Sequence, residues 1–222
     1  MKSIAERLDS LRRQIPMHVK LVAVSKTKSK DEILEAYHSG QRAFGENYVQ
    51  EMVAKQPLLP PEIEWHFIGH LQTNKVRSIA PFVQWIHSVD SEKLLAEINT
   101  QAAKHHRVIH CLLQVHVAVE ETKFGWDNEE LTAFCGRADF RQYPFVNIRG
   151  IMGMASFSED EKLVRSEFQV IKKCFEELKT TAFKGKADFT EISMGMSSDW
   201  RWAVEEGSSM VRIGSAIFGA RN

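Results

Sequence analysis

Short apolar or β-branched segments recur along the chain, each followed by a longer amphipathic one, and this alternation limits the possible folds more than any other feature of the sequence. The strand-like segments fall at 20–25, 42–46, 64–69, 85–89, 110–117, 148–154, 189–194 and 210–214. The helical segments between them lie near 29–39, 47–56, 73–82, 91–106, 128–140, 159–180 and 197–206. Strand and helix in alternation imply parallel strands joined by helical crossovers. Eight such strands can close on themselves, which leaves no open edge. The expectation is therefore an α/β fold: one (β/α)8 TIM-type barrel over 1–222, with an open doubly wound sheet as the competing arrangement.

Local signals support these boundaries. Ser29 with Glu32, Asp127 with Glu130, and Ser158 with Glu161 fit the pattern of a reciprocal N-terminal cap. Gly40 and Gly207 sit where a left-handed residue would end a helix. In 159–180, Leu163, Val170, Ile171, Cys174, Phe175 and Leu178 recur at helical spacing. The chain stops at Asn222, soon after the eighth strand, so no helix is expected there. Segment 3–15 carries Ile4, Leu8, Leu11 and Ile15 on one face and is expected to be a helix packed where the eighth barrel helix is missing.

Composition narrows the function classes. Of 222 residues, 43% are hydrophobic and 26% charged, with a formal net charge of zero, so no charge excess points to nucleic acid or an anionic membrane. The start, "MKSIAERLDS", lacks the apolar core of a signal peptide. No apolar run is long enough to span a membrane. Cys111, Cys135 and Cys174 are far apart and read as reduced, buried thiols of a cytoplasmic protein. His66 and His70 in "HFIGH" have the spacing of a zinc helix, but they lie at a strand end and lack the adjoining glutamate, so no metal is expected.

Barrels of this type work at the C-terminal ends of their strands. There "LVAVSKTKSK" ends a core strand on Lys26. "SMGMSSDW" and "VRIGS" bring glycines and serines, Ser197, Gly214 and Ser215 among them, to the seventh and eighth strand ends, where barrels often bind phosphate. An amine held in a barrel mouth opposite a phosphate site suits a Schiff base with a phosphorylated aldehyde, because burial favours the neutral, nucleophilic amine. Pyridoxal 5'-phosphate needs a lysine, a phosphate cradle and a partner for its ring nitrogen. Arg212, on the eighth strand, can be that partner. An arginine cannot accept a proton, so it would leave the ring nitrogen unprotonated, which favours binding or mild chemistry over difficult carbanion steps.

"LVAVSKT", "FGENYVQE", "WHFIGHLQTNK" and "ISMGMSSDWRWAVEEGSSMVRIGSAIFG" together resemble the pyridoxal phosphate homeostasis family, from about residue 20 to the C-terminus. Members are similar to the barrel domain of alanine racemase without its second domain. The resemblance implies a carrier or regulator of intracellular pyridoxal phosphate with no established reaction. It implies that Lys26 forms the Schiff base, that Ser197, Gly214 and Ser215 hold the phosphate with Met196 backbone nearby, and that the ring nitrogen faces Arg212. Asn47 would lie beside the ring, with His66 as a further neighbour. Lys123 of "KFG" receives no role, and the ending "FGARN" carries no basic tail. A cytoplasmic monomer making transient contacts with pyridoxal phosphate-dependent enzymes follows as the expected setting. The alternative is an amino-acid racemase or another enzyme of the same fold type. That chemistry needs a second base, for which only Tyr48, of Tyr37, Tyr48 and Tyr143, falls near the mouth.

Overall fold

The computed structural model describes residues 2–118 and 124–219. Eight parallel strands form a closed barrel in chain order: β1 (Lys20–Val24), β2 (Ala43–Glu46), β3 (Glu64–Phe67), β4 (Trp85–Val89), β5 (Ile109–Val115), β6 (Val146–Gly153), β7 (Glu191–Ser193) and β8 (Met210–Ile213). β8 pairs with β1 from Lys20↔Met210 to Ala23↔Ile213, which rules out the open sheet. Period-two alternation sorts each strand into two faces. Val22, Ala43, Trp85, Leu112, Met152 and Met210 meet inside the barrel. The outward residues, such as Ala23, Phe44, Ile86, Ile151 and Val211, join the larger core beneath the helices.

The helices are α1 (Ile4–Arg12), α2 (Lys30–His38), α3 (Val49–Lys55), α4 (Val76–Ile79), α5 (Glu92–Lys104), α6 (Asn128–Arg137), α7 (Glu161–Thr180), α8 (Trp200–Glu205) and α9 (Ser215–Phe218). Ser29 and Glu32 form the reciprocal cap of α2, and Asp127 caps α6 through the Glu130 N–H. The cap of α7 is Asp160 instead of Ser158. Its carboxylate accepts from the Lys162 and Leu163 N–H groups, while the Ser158 hydroxyl accepts from the Asp160 N–H. The buried face of α7 is Val164, Phe168, Ile171, Cys174, Phe175 and Leu178. Val170, assigned to that face by spacing, points to solvent, and Phe168 takes the place in the core.

Among the described residues, the element after β8 is the single turn α9, and α1 completes the cover. Leu8 on α1 is fully buried, and Arg7 Nε donates to the Ile217 carbonyl of α9. On its other side α1 is tied to α2, where the Ile4 N–H donates to Glu35 Oε1 at 2.9 Å. None of the helices among the described residues is long and apolar enough to cross a membrane.

Candidate functional site

A cavity of about 370 Å³ opens at the C-terminal ends of the strands. It is lined by seven of the residues expected there: Lys26, Asn47, Met196, Ser197, Arg212, Gly214 and Ser215. The path of β1 explains Lys26. Val22 faces the barrel interior and Val24 lines the cavity, so the next residue of that parity, Lys26, reaches the same space.

The residues on either side of Lys26 are held from outside the barrel. Ser25 Oγ donates to Glu46 Oε1 at 2.6 Å, and Lys55 Nζ donates to the Ser25 carbonyl at 2.7 Å. Lys55 also meets Glu46 Oε1 at 2.8 Å and Glu51 Oε1 at 2.6 Å. Thr27 adopts a left-handed φ of 64°, uncommon outside glycine, and its N–H donates to the Glu51 carboxylate. Burial pushes the Glu46 carboxyl upward, against the pull of Lys55 and Ser25.

Arg212 forms part of the cavity floor and is buried. Its NH1 donates to Ser193 Oγ at 2.6 Å and its NH2 to the Gly153 carbonyl at 3.1 Å, both neutral acceptors. Burial lowers its pKa to about 10, partly offset by Asp199, so at neutral pH it remains a cation. Such a charge in the floor favours an anionic or lone-pair-bearing ligand.

The loops after β7 and β8 form the far rim. Gly195 turns the first loop with φ 94°, and a Cβ there would lie 2.6 Å from Ala203 Cβ of α8, so only glycine suits the position. The Met196 N–H donates to Asp199 Oδ1 at 2.5 Å, so that amide is already engaged. Gly214 N–H donates to Ser197 Oγ at 3.2 Å, tying the two loops together. Asn47, after β2, lines the same cavity, and its Oδ1 is a buried acceptor without a hydrogen-bond partner among the described residues.

His66 lies outside the cavity lining. The inward face of β3 carries Glu64, His66 and then Ile68, and it is Ile68 that reaches cavity level. His66 sits one layer deeper, fully buried, stacked on Trp85 with ring centroids 5.6 Å apart. His70 is on the outside, paired with Asp90 at 3.2 Å, so the two histidines of "HFIGH" never converge. The tyrosines stand apart from the cavity as well. Tyr37 donates to Glu62, Tyr143 to Glu92, and Tyr48 is exposed at the start of α3. Lys123 lies outside the described residues.

Sequence reading missed Ile68, Met154, Phe157 and Ser198 in the lining. Met154 and Ser198 stood within "IMGM" and "SMGMSSD", but an apolar side chain at a strand end carries no chemical signal of its own. The partly buried Lys55 gave no signal either.

Residues 1–222 match the family model for the N-terminal domain of alanine racemase. The chain is 38% identical over 240 residues to a pyridoxal phosphate homeostasis protein of Vibrio alginolyticus, covering 100% of this chain and 99% of that protein. PipY of Synechococcus elongatus without pyridoxal phosphate superposes with a TM-score of 0.91 at 42% identity, covering 98% of this chain and 100% of that one. PipY with pyridoxal phosphate bound superposes at 0.88 and 41%, with the same coverage. Alanine racemase from E. faecalis, at 15% identity and TM-score 0.72 over 98% of this chain and 58% of that one, shares the fold.

Proposed function

The chain belongs to the pyridoxal phosphate homeostasis proteins, within the family of the alanine racemase N-terminal domain, and from that premise we propose that it binds pyridoxal 5'-phosphate reversibly on Lys26 and so takes part in keeping the intracellular level of the cofactor in balance. The observation that carries this reading is the meeting of Lys26, Arg212 and the joined Ser197–Gly214 loops in one cavity. When bound, the cofactor would supply an aldehyde carbon, an electrophile to which a neutral Lys26 amine can add reversibly.

The chain's own residues divide the remaining work. The clamp on Ser25 and Thr27 aims Lys26 into the cavity. The Ser197 and Ser215 hydroxyls line the cavity beside Gly214 and would donate to the phosphate ester. Arg212 offers a donor to the ring nitrogen and holds it unprotonated, since a guanidinium has no proton-accepting site. Asn47, with its unpartnered oxygen, supplies a buried acceptor beside the ring. The same reading makes the protein a cytoplasmic monomer that meets pyridoxal phosphate-dependent enzymes transiently. A closed barrel has no sheet edge to pair, and light scattering of the purified protein reads the monomer directly.

The test is to add pyridoxal phosphate, reduce with borohydride and map the adduct by mass spectrometry. The expected result is one phosphopyridoxyl group on Lys26 and none in folded Lys26→Ala. An adduct on another residue, or none in folded wild type, overturns the proposal. Amino-acid racemisation at ordinary turnover, on the order of 1–10³ per second, would favour the enzymatic alternative.

A further inference from the structure

A continuous line of hydrogen-bonded side chains runs from the cavity floor through the barrel to its opposite mouth. Arg212 NH1 lies 2.6 Å from Ser193 Oγ, which lies 3.0 Å from His87 Nδ1. His87 Nε2 lies 2.8 Å from His66 Nδ1. His66 Nε2 lies 3.2 Å from Glu64 Oε1, which also accepts from Lys20 Nζ at 2.9 Å. Ser193, His87 and His66 are all fully buried, so water does not compete along this stretch.

Donor and acceptor counting gives the line a direction. A guanidinium only donates, so Ser193 Oγ accepts from Arg212. The one hydroxyl hydrogen of Ser193 is then free to donate to His87 Nδ1. A neutral His87 with a bare Nδ1 carries its hydrogen on Nε2 and donates it to His66 Nδ1. His66 in turn carries its hydrogen on Nε2 and donates to the Glu64 carboxylate, the terminal acceptor, held there by Lys20. The reverse direction places a bare His66 Nε2 against the carboxylate, acceptor facing acceptor, unless His66 gains a proton. Burial disfavours that gain, although Glu64 opposes burial in this respect. His87, faced by His66, Arg212 and Lys20, is neutral for the same reason.

We propose that Ser193 and His87 are positioning residues for Arg212: the one-directional line anchored at Glu64 and Lys20 holds Ser193 Oγ as an acceptor and so fixes the guanidinium that faces the cofactor ring. The inference rests on the reading of the cavity as a pyridoxal phosphate site, but its first observable does not. If Ser193 were merely a small residue filling space, Glu64 would still set the histidine tautomers, but removing the Ser193 hydroxyl would leave Arg212 and the bound cofactor unchanged.

The test has two arms. In protein without cofactor, nitrogen-15 NMR of labelled histidines at pH 7.5 should show His66 and His87 both neutral, each with its hydrogen on Nε2. Nδ1–H on either ring overturns the line whatever the cavity binds. In protein loaded with pyridoxal phosphate, Ser193→Ala should weaken cofactor binding about ten-fold, the loss expected for one buried hydrogen bond to a charged group. It should also shift the nitrogen-15 signal of labelled cofactor and its absorption band. Ser193→Thr, which restores the hydroxyl, should recover both, and the reduced adduct should stay on Lys26 throughout. Unchanged affinity and spectrum in a folded Ser193→Ala protein overturn the positioning role. Failure of wild type to form the adduct overturns the cofactor reading instead, and the histidine tautomers still decide the line.

Discussion

Lys55 Nζ lies 2.7 Å from the carbonyl oxygen of Ser25, the residue that immediately precedes Lys26. The same ammonium pairs with Glu46, whose side chain is fully buried, and with Glu51, which receives the Thr27 N–H. One cation outside the barrel thus organises both neighbours of the lysine inside it. Lys55→Met removes that cation and leaves the Glu46 carboxylate buried without a charge partner. Breaking a buried pair from one side costs about 3–5 kcal/mol, and urea unfolding should show a loss of that order. Glu46→Gln in the same chain should recover part of it, because a neutral amide needs no counter-charge. A single variant within about 0.5 kcal/mol of wild type would show that the clamp does not constrain the strand end.

Gly69 and Asn47 stand in an equally tight relation. A Cβ on Gly69 would lie 2.3 Å from the Asn47 carbonyl oxygen and 2.8 Å from its Cα, both backbone atoms that cannot swing away. Gly69→Ala should therefore displace Asn47 from the cavity wall, destabilise the protein by about 1–3 kcal/mol and weaken pyridoxal phosphate binding. Gly136, exposed within α6, gives the opposite sign, because a methyl group added there would meet nothing within 4 Å. Gly136→Ala should stabilise by about 0.5–1 kcal/mol with binding unchanged. Equal effects from the two alanines would remove the steric argument at Gly69.

The barrel and most of its mouth were legible because both leave local marks. Strand ends followed by Lys26, Ser197 or Gly214 announce themselves through residue type, and helix spacing announces α1 and α7. What stayed hidden is set by register and depth. His66 carries the chemistry of a site residue, yet its position two residues before Ile68 on β3 places it one layer below the cavity. Val170 fits the helical stripe of α7, but the barrel is met by Phe168, since a stripe defined by spacing alone tolerates a rotation of about one residue. Lys55 follows Lys26 by 29 positions, and no periodicity links them.

Leu8 tests whether α1 serves as the missing barrel helix. It is fully buried and belongs to the main core, and its neighbour Arg7 reaches α9. If α1 is part of the barrel's cover, Leu8→Ala should cost about 2–5 kcal/mol, as for other buried leucines, in a single cooperative transition. A separate early transition, with the rest of the chain unfolding as in wild type, would show α1 to be an appendage.

The buried histidines set the acid side of the stability profile. Burial lowers the pKa of both His66 and His87, with Glu64 opposing at His66 and the charges of His66, Arg212 and Lys20 adding at His87. Above the unfolded histidine pKa of about 6.5, folded and unfolded chains bind equal numbers of protons at these sites, and stability does not depend on them. As pH falls below that value, the unfolded chain takes up protons that the folded chain refuses, so stability falls. Each such histidine contributes a slope of at most about 1.4 kcal/mol per pH unit, the full value only where it stays neutral in the folded chain. His110, also lowered by burial, adds in the same direction. Glu64, held low by His66 and Lys20 despite its own burial, extends the loss into the carboxylate range. Urea unfolding between pH 7.5 and 5 should therefore show a plateau followed by a decline, and His87→Gln should reduce the slope of the decline by up to about 1.4 kcal/mol per pH unit. An identical slope in the variant would mean that His87 gains its proton as readily in the folded barrel as in water, which its fully buried place between His66 and Ser193 forbids.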